Sequence, residues 1–95
     1  MKRIHISYYE RGEFLITYRI CPNFLESGYR VFRKREYEKN ETCNEHIFST
    51  EEEAIMNIVK RVNTLITMGK ATNLKLEIYE AETYWEARQE KWTNI

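Results

Sequence analysis

Few side chains in this 95-residue chain are equipped to bind a metal or attack a bond. Cys43 and His46 have the C-x-x-H spacing of metal ligands, and Cys21 with His5 would complete a Cys2His2 set suited to zinc. Convergence is the obstacle. Strand alternation sets His5 opposite Thr17, and Cys21 lies four residues beyond Thr17. At the rise of an extended chain that is about 13 Å, too far for donors that share one ion. Each His and Cys therefore reads as an ordinary strand or loop residue, and no metal or other cofactor is expected.

Covalent and acid–base chemistry find no better footing. No serine is framed by glycines, and with only 3 Gly there is no loop to cradle a phosphate. Cys43 and His46 lack a third group to orient them as a nucleophile and base. All fifteen acidic residues are Glu, so the Asp on which many metal-dependent transfer sites rely is absent. Glu51, Glu52 and Glu53 have a helix-capping role, and Glu80, Glu82, Glu86 and Glu90 read as a solvated helix surface. An enzyme is not expected.

Binding chemistry is better represented. The stretch "YRVFRKREYEK", residues 29–39, offers Arg30, Arg33, Lys34, Arg35 and Lys39 to phosphates, with Tyr37 or Phe32 to stack on a base. The same charges would also keep an edge ribbon from pairing with other chains. Near the C-terminus, "EAETYWEARQEKWTNI" brings Tyr84, Trp85 and Trp92 together with Arg88, the composition of an interface hot spot. Packing of both tryptophans on the sheet is the competing fate.

The elements that position these residues follow from periodicity. Ile4, Ile6 and Tyr8 alternate with His5, Ser7 and Tyr9 in a first strand, and Phe14, Ile16, Tyr18 and Ile20 form the apolar face of a second. A loop at Glu10, Arg11 and Gly12 predicts a hairpin pairing Ile4 with Tyr18, Ile6 with Ile16 and Tyr8 with Phe14. A second hairpin at about 29–48, pairing Val31 with Phe48 and Lys34 with Glu45, is expected to project as a basic arm. "FSTEEEAIMNIVKRVNTLITMGK" predicts a helix capped by Ser49 or Thr50, with Ile55, Ile58, Val59, Val62, Leu65 and Ile66 in one stripe and Gly69 at its end. Leu74, Leu76 and Ile78 then alternate as a strand, and Ala81, Trp85, Arg88 and Trp92 recur at helical spacing. The expected fold is a single α+β domain over 1–95 in the order ββββαβα. Its antiparallel sheet carries one long amphipathic helix on one face and a short helix at the C-terminus.

Antiparallel strands followed by the F-x-T-x-x-E-A run at Phe48–Ala54 resemble the arm-binding domains of phage-type integrases over roughly residues 3–66. That resemblance would imply DNA binding. Those domains are more basic than this chain, so it is not assigned to their family.

Charge orders the remaining readings. The net charge is +0, with nine Lys/Arg against five Glu in residues 1–39 and six against ten in residues 40–95. A nucleic-acid interface needs a clear basic excess, and here it is local. The leading expectation is a small cytoplasmic, non-catalytic binding protein whose partner is another protein. It would resemble in kind the accessory or inhibitor proteins of phages and mobile elements. Nucleic-acid binding through the 29–48 hairpin is the alternative. A homodimer with basic half against acidic half is a further possibility. No run of eighteen apolar residues exists, so no membrane span is expected, and two cysteines suit a reducing compartment.

Overall fold

Alternation of Ile and Tyr with polar residues produces the two longest neighbouring strands, β1 (Lys2–Glu10) and β2 (Phe14–Pro22). In the computed structural model, which describes residues 2–23 and 27–80, they pair as Ile4 with Ile20, Ile6 with Tyr18, Tyr8 with Ile16 and Glu10 with Phe14. This register lies two residues from the expected one. The turn forms later: Arg11 and Gly12 both adopt positive φ, 53° and 72°, and the Glu13 N–H donates to the Glu10 carbonyl at 3.0 Å. A slip of two keeps every side chain on its face, so the apolar face survives the correction.

The third strand, β3 (Tyr29–Arg35), pairs with β2 along its whole length, from Pro22 with Tyr29 to Ile16 with Arg35. The basic stretch is thus an inner strand of the sheet, where a projecting arm was expected. Its outer partner β4 (Thr42–Cys43) is only two residues long, matching Phe32 with Cys43 and Arg33 with Thr42. The chain leaves the ladder after Asn44 and returns for one isolated bridge, Tyr29 with Phe48. The expected pairs Val31–Phe48 and Lys34–Glu45 do not form. The turn after β3 is folded by its own side chains, since Lys34 Nζ donates to the carbonyls of Arg35 and Glu38.

The helix α1 (Glu51–Thr67) begins as the sequence leads one to expect. Thr50 is the N-cap, accepting from the Glu53 N–H, while Glu53 reaches back to the Ser49 N–H at 3.2 Å. Three glutamates in the first turn complement the partial positive charge there. Gly69, at φ 74°, reverses the chain into β5 (Ala71–Glu80), which pairs antiparallel with β1. A bulge between Ser7 and Tyr9 accompanies a left-handed Asn73, φ 57°. The sheet order is β4-β3-β2-β1-β5. The architecture is α+β, an antiparallel five-stranded sheet with α1 across one face. The expected C-terminal helix, with Tyr84, Trp85 and Trp92, lies outside the described residues.

Between the layers Ile4, Ile6, Ile16, Ile20, Val31 and Phe48 pack against Ala54, Ile58 and Val62 of α1. The sheet's second face is also shielded: His5, Ser7, Thr17, Arg19, Cys21 and Phe32 are buried there. No helix of the described residues is long and apolar enough to cross a membrane.

Gly28 holds the point where β3 meets the approach to α1. Its φ is 106°, and a Cβ there would stand 2.7 Å from Ile47 Cγ2 and 2.8 Å from the Phe48 carbonyl oxygen. Gly28→Ala should therefore destabilise the fold by about 2 kcal/mol or more. Gly12→Ala, whose Cβ would meet nothing within 4 Å, should cost only about 1 kcal/mol. Urea unfolding of both variants checks the order, and equal losses would show that the Gly28 contact relaxes freely.

Candidate functional site

The path of α1 decides which parts of the sheet stay open. It starts beside the Tyr29–Phe48 bridge, at the end of the sheet far from the β1–β2 turn. It finishes beside that turn, where the Arg11 N–H donates to the Lys70 carbonyl at 2.9 Å. The helix crosses the strands obliquely from β3 toward β5. Among the described residues, two opposite corners of its face of the sheet are left uncovered, one on β3 and one on β5.

At the β3 corner the register divides the basic stretch. Arg33 and Arg35 pair with Tyr18 and Ile16, so they lie on the helix side; Arg30 and Lys34 pair with Cys21 and Thr17, so they lie on the second face. Several of these cations are engaged locally. Arg35 sits 3.7 Å from Glu38, Lys34 holds the turn carbonyls, and Arg30 Nη1 donates to Cys43 Sγ at 3.7 Å. Tyr37 meets the Phe14 ring edge-on at 5.1 Å, and Lys39 is exposed in the turn. A stripe of cations tracking one surface is not what the alternation yields. What remains on the helix side is a cleft of about 220 Å³ between β3, β4 and α1, lined by Tyr18, Val31, Arg33, Thr42, Asn44 and Arg61.

At the β5 corner the exposed side chains are aliphatic. Leu76 pairs with Ile6 and Ile78 with Ile4, which places both on the helix side. They are nonetheless 47% and 55% exposed. Arg61 marks the β3-facing flank of α1, so the flank on the other side of the buried stripe, with Ile55, Val59 and Ile66, is turned toward β5. Lys75 and Glu77 alternate with these residues on the second face and lie 3.7 Å apart.

The second face has a charged centre that periodicity alone did not single out. Arg19 is 1% exposed, its Nη2 is 2.7 Å from Glu41 Oε1, and its guanidinium carbon lies 4.5 Å from the centre of the Phe32 ring. The ion pair ties the segment before β4 to the middle of β2. A signal existed in the sequence: Arg19 shares the parity of His5 and Cys21 in strands otherwise rich in Ile and Tyr. Among the described residues no group of three His, Cys or Glu is placed to share a metal ion. Cys21 and Cys43 both stand as thiols. Tyr84, Trp85 and Trp92 lie outside the described residues.

Comparison with known proteins leaves the chain on its own: no family model matches it, nor does any curated protein or solved structure.

Two phenols feel the packing. Burial pushes Tyr8 up to about 12, helped by Tyr18 and Glu10 and opposed by Arg35 and Arg33. Burial also raises Tyr29, with Glu51 adding to the effect. A phenol raised in the fold binds its proton more tightly there than in the unfolded chain. Its contribution is complete below the ordinary value of 10.0 and is lost as pH climbs through about 12. Tyr8→Phe should therefore flatten the fall of stability across that window, measured by urea unfolding at stepped pH. An unchanged slope would mean that Tyr8 ionises as freely folded as unfolded.

Proposed function

We propose that this is a small non-catalytic binding protein that docks on another protein through the β5 corner and works by covering its partner's surface. The observation that carries the reading is the pair Leu76 and Ile78, two large aliphatic side chains half exposed on the core side of an outermost strand. Removing such side chains from water contributes about 1.5–3 kcal/mol each when burial is complete. An outer strand also presents its backbone to an added strand, which supplies direction and register. The occupant we infer is an extended segment of a partner protein, laid antiparallel on β5. It would carry aliphatic residues on the helix side, an acid opposite Lys75 and a base opposite Glu77.

Several features support a protein partner over nucleic acid. The net charge is +0, and Arg30, Arg33, Lys34 and Arg35 are divided between two faces. Phosphate neutralisation draws on a concentrated basic surface. The accessory and inhibitor proteins of phages and mobile elements work in the cytoplasm by such occlusion, and we place this protein among them in mode of action.

The order Lys75–Leu76–Glu77 has its own complement: an antiparallel second copy centred on Leu76 would set Lys75 against Glu77 of its mate. Sedimentation of the pure protein comes first for that reason, and a dimer broken by Leu76→Glu would assign the corner to a second copy. For the monomeric protein, a photo-crosslinking residue at position 78 should capture a discrete partner from extract of the source cells. The same residue at Asn63, on the outer surface of α1, should not. Leu76→Glu combined with Ile78→Glu should weaken the captured complex by about tenfold or more while changing stability by less than about 1 kcal/mol. Equal capture from both positions, or unchanged affinity, overturns the reading.

A further inference from the structure

The β3 corner has a different chemistry, and it stands independently of the docking surface on β5. Arg33 is half-buried on the floor of the cleft, and its Nε is shielded from solvent without a hydrogen-bond partner. Buried guanidinium donors are ordinarily satisfied, because leaving one unmet costs on the order of 1–3 kcal/mol. Arg61 lines the same cleft from α1, and its only polar contact among the described residues is with Asn57 Oδ1 at 3.4 Å. No carboxylate lines the cleft, and neither arginine forms an ion pair among the described residues. Two guanidinium groups therefore share one small concavity with no counter-charge among the described residues.

The remaining lining extends the pattern. Asn44 Oδ1 accepts from the His46 N–H at 3.0 Å, which leaves its amide N–H2 as the donor available to the cleft. Thr42 and Tyr18 bring hydroxyl groups, and Val31 supplies an apolar wall. Ladder pairing matches Arg33 with Tyr18 on one side and Thr42 on the other, and the Asn44 N–H donates to the Val31 carbonyl at 2.8 Å. A donor-rich pocket with two fixed positive charges suits a compact dianion that offers several acceptor oxygens.

We propose that this cleft binds a phosphate dianion, free or as the monoester of a small molecule, through Arg33 and Arg61 with Asn44 and Thr42 completing its hydrogen bonds. Size separates this ligand from larger ones. At about 220 Å³ the cleft is smaller than the ~300–1,000 Å³ of pockets that enclose drug-sized molecules, yet ample for a phosphate with a few attached atoms. Charge points the same way. A phosphate monoester carries about −1.5 to −2 at neutral pH, which balances the pair, whereas a carboxylate or a phosphodiester brings a single charge. A nucleic-acid strand would require cations running beyond the cleft, and the neighbouring Arg35 is already paired with Glu38.

The test is a titration of the 15N-labelled protein followed by NMR, with chloride of equal ionic strength as reference. Inorganic phosphate, glycerol 3-phosphate and dimethyl phosphate are the three probes. Saturable shifts of the Arg33 Nε–H and the Asn44 side-chain amide with the first two probes are expected, with dimethyl phosphate at least about tenfold weaker. Tighter binding of glycerol 3-phosphate than of phosphate would identify a monoester as the ligand, and the reverse order the free ion. Arg33→Gln and Arg61→Gln should each lower affinity about tenfold or more, the cost of losing a charge-assisted contact. Arg30→Gln, on the opposite face, should leave it unchanged. Arg61 is exposed on α1, so its substitution keeps the test decisive if Arg33→Gln perturbs folding. Shifts that match chloride, equal binding of dimethyl phosphate, or indifference to Arg61→Gln would overturn the assignment.

Discussion

Two backbone hydrogen bonds govern much of this molecule. The Tyr29 N–H donates to the Phe48 carbonyl at 2.8 Å and the Phe48 N–H returns to the Tyr29 carbonyl at 2.9 Å. Together they clamp the chain to the outer start of β3 immediately before α1 begins. Because the helix must end where Lys70 meets the β1–β2 turn, its two ends are pinned at opposite corners of the sheet. An oblique crossing is the only straight path between those anchors. The covered core and both open corners follow from it. Gly28 is the local requirement for the clamp, since only a residue without a Cβ fits between Ile47 and the Phe48 carbonyl.

The two corners differ because strand alternation meets different residues at each. On β5 the residues turned toward the helix are Leu76 and Ile78; on β3 they are Arg33 and Arg35. An exposed aliphatic pair and a half-buried arginine whose shielded Nε has no partner among the described residues are both costly in isolation. That cost argues for something arriving from outside to meet each of them, apolar in one case and anionic in the other. The second face handles its charge internally instead, where Arg19 finds Glu41 and the Phe32 ring.

Much of the architecture was legible in the chain because side-chain parity is robust. A two-residue error in the β1–β2 register changes no facing, and the capping box at Thr50 and Glu53 fixes the helix start within one residue. The basic run from Arg30 to Lys39 was harder to place. A composition reading adds its charges together, whereas an extended chain sends successive residues to opposite sides, so Arg33 parted from Lys34. Arg61 was passed over because, on a helix, one arginine beside polar neighbours looks like ordinary solvated surface. Only the crossing angle brings it over Arg33. Likewise, the alternation of Leu76 and Ile78 identifies their face but not whether the helix reaches far enough to cover it.

The sheet order β4-β3-β2-β1-β5 places the first strand in its interior, flanked by the strand next in the chain and by the last one described. The β1–β2 hairpin closes over a three-residue turn, whereas the β1–β5 ladder joins Lys2 to Glu80. Contacts so distant along the chain form late, after the larger loop-closure entropy has been met. During synthesis β1 therefore waits with one flank unsatisfied until β5 has cleared the ribosome. Until then the β5-facing edge of β1 is an unpaired strand edge, the kind of surface through which incompletely folded chains associate.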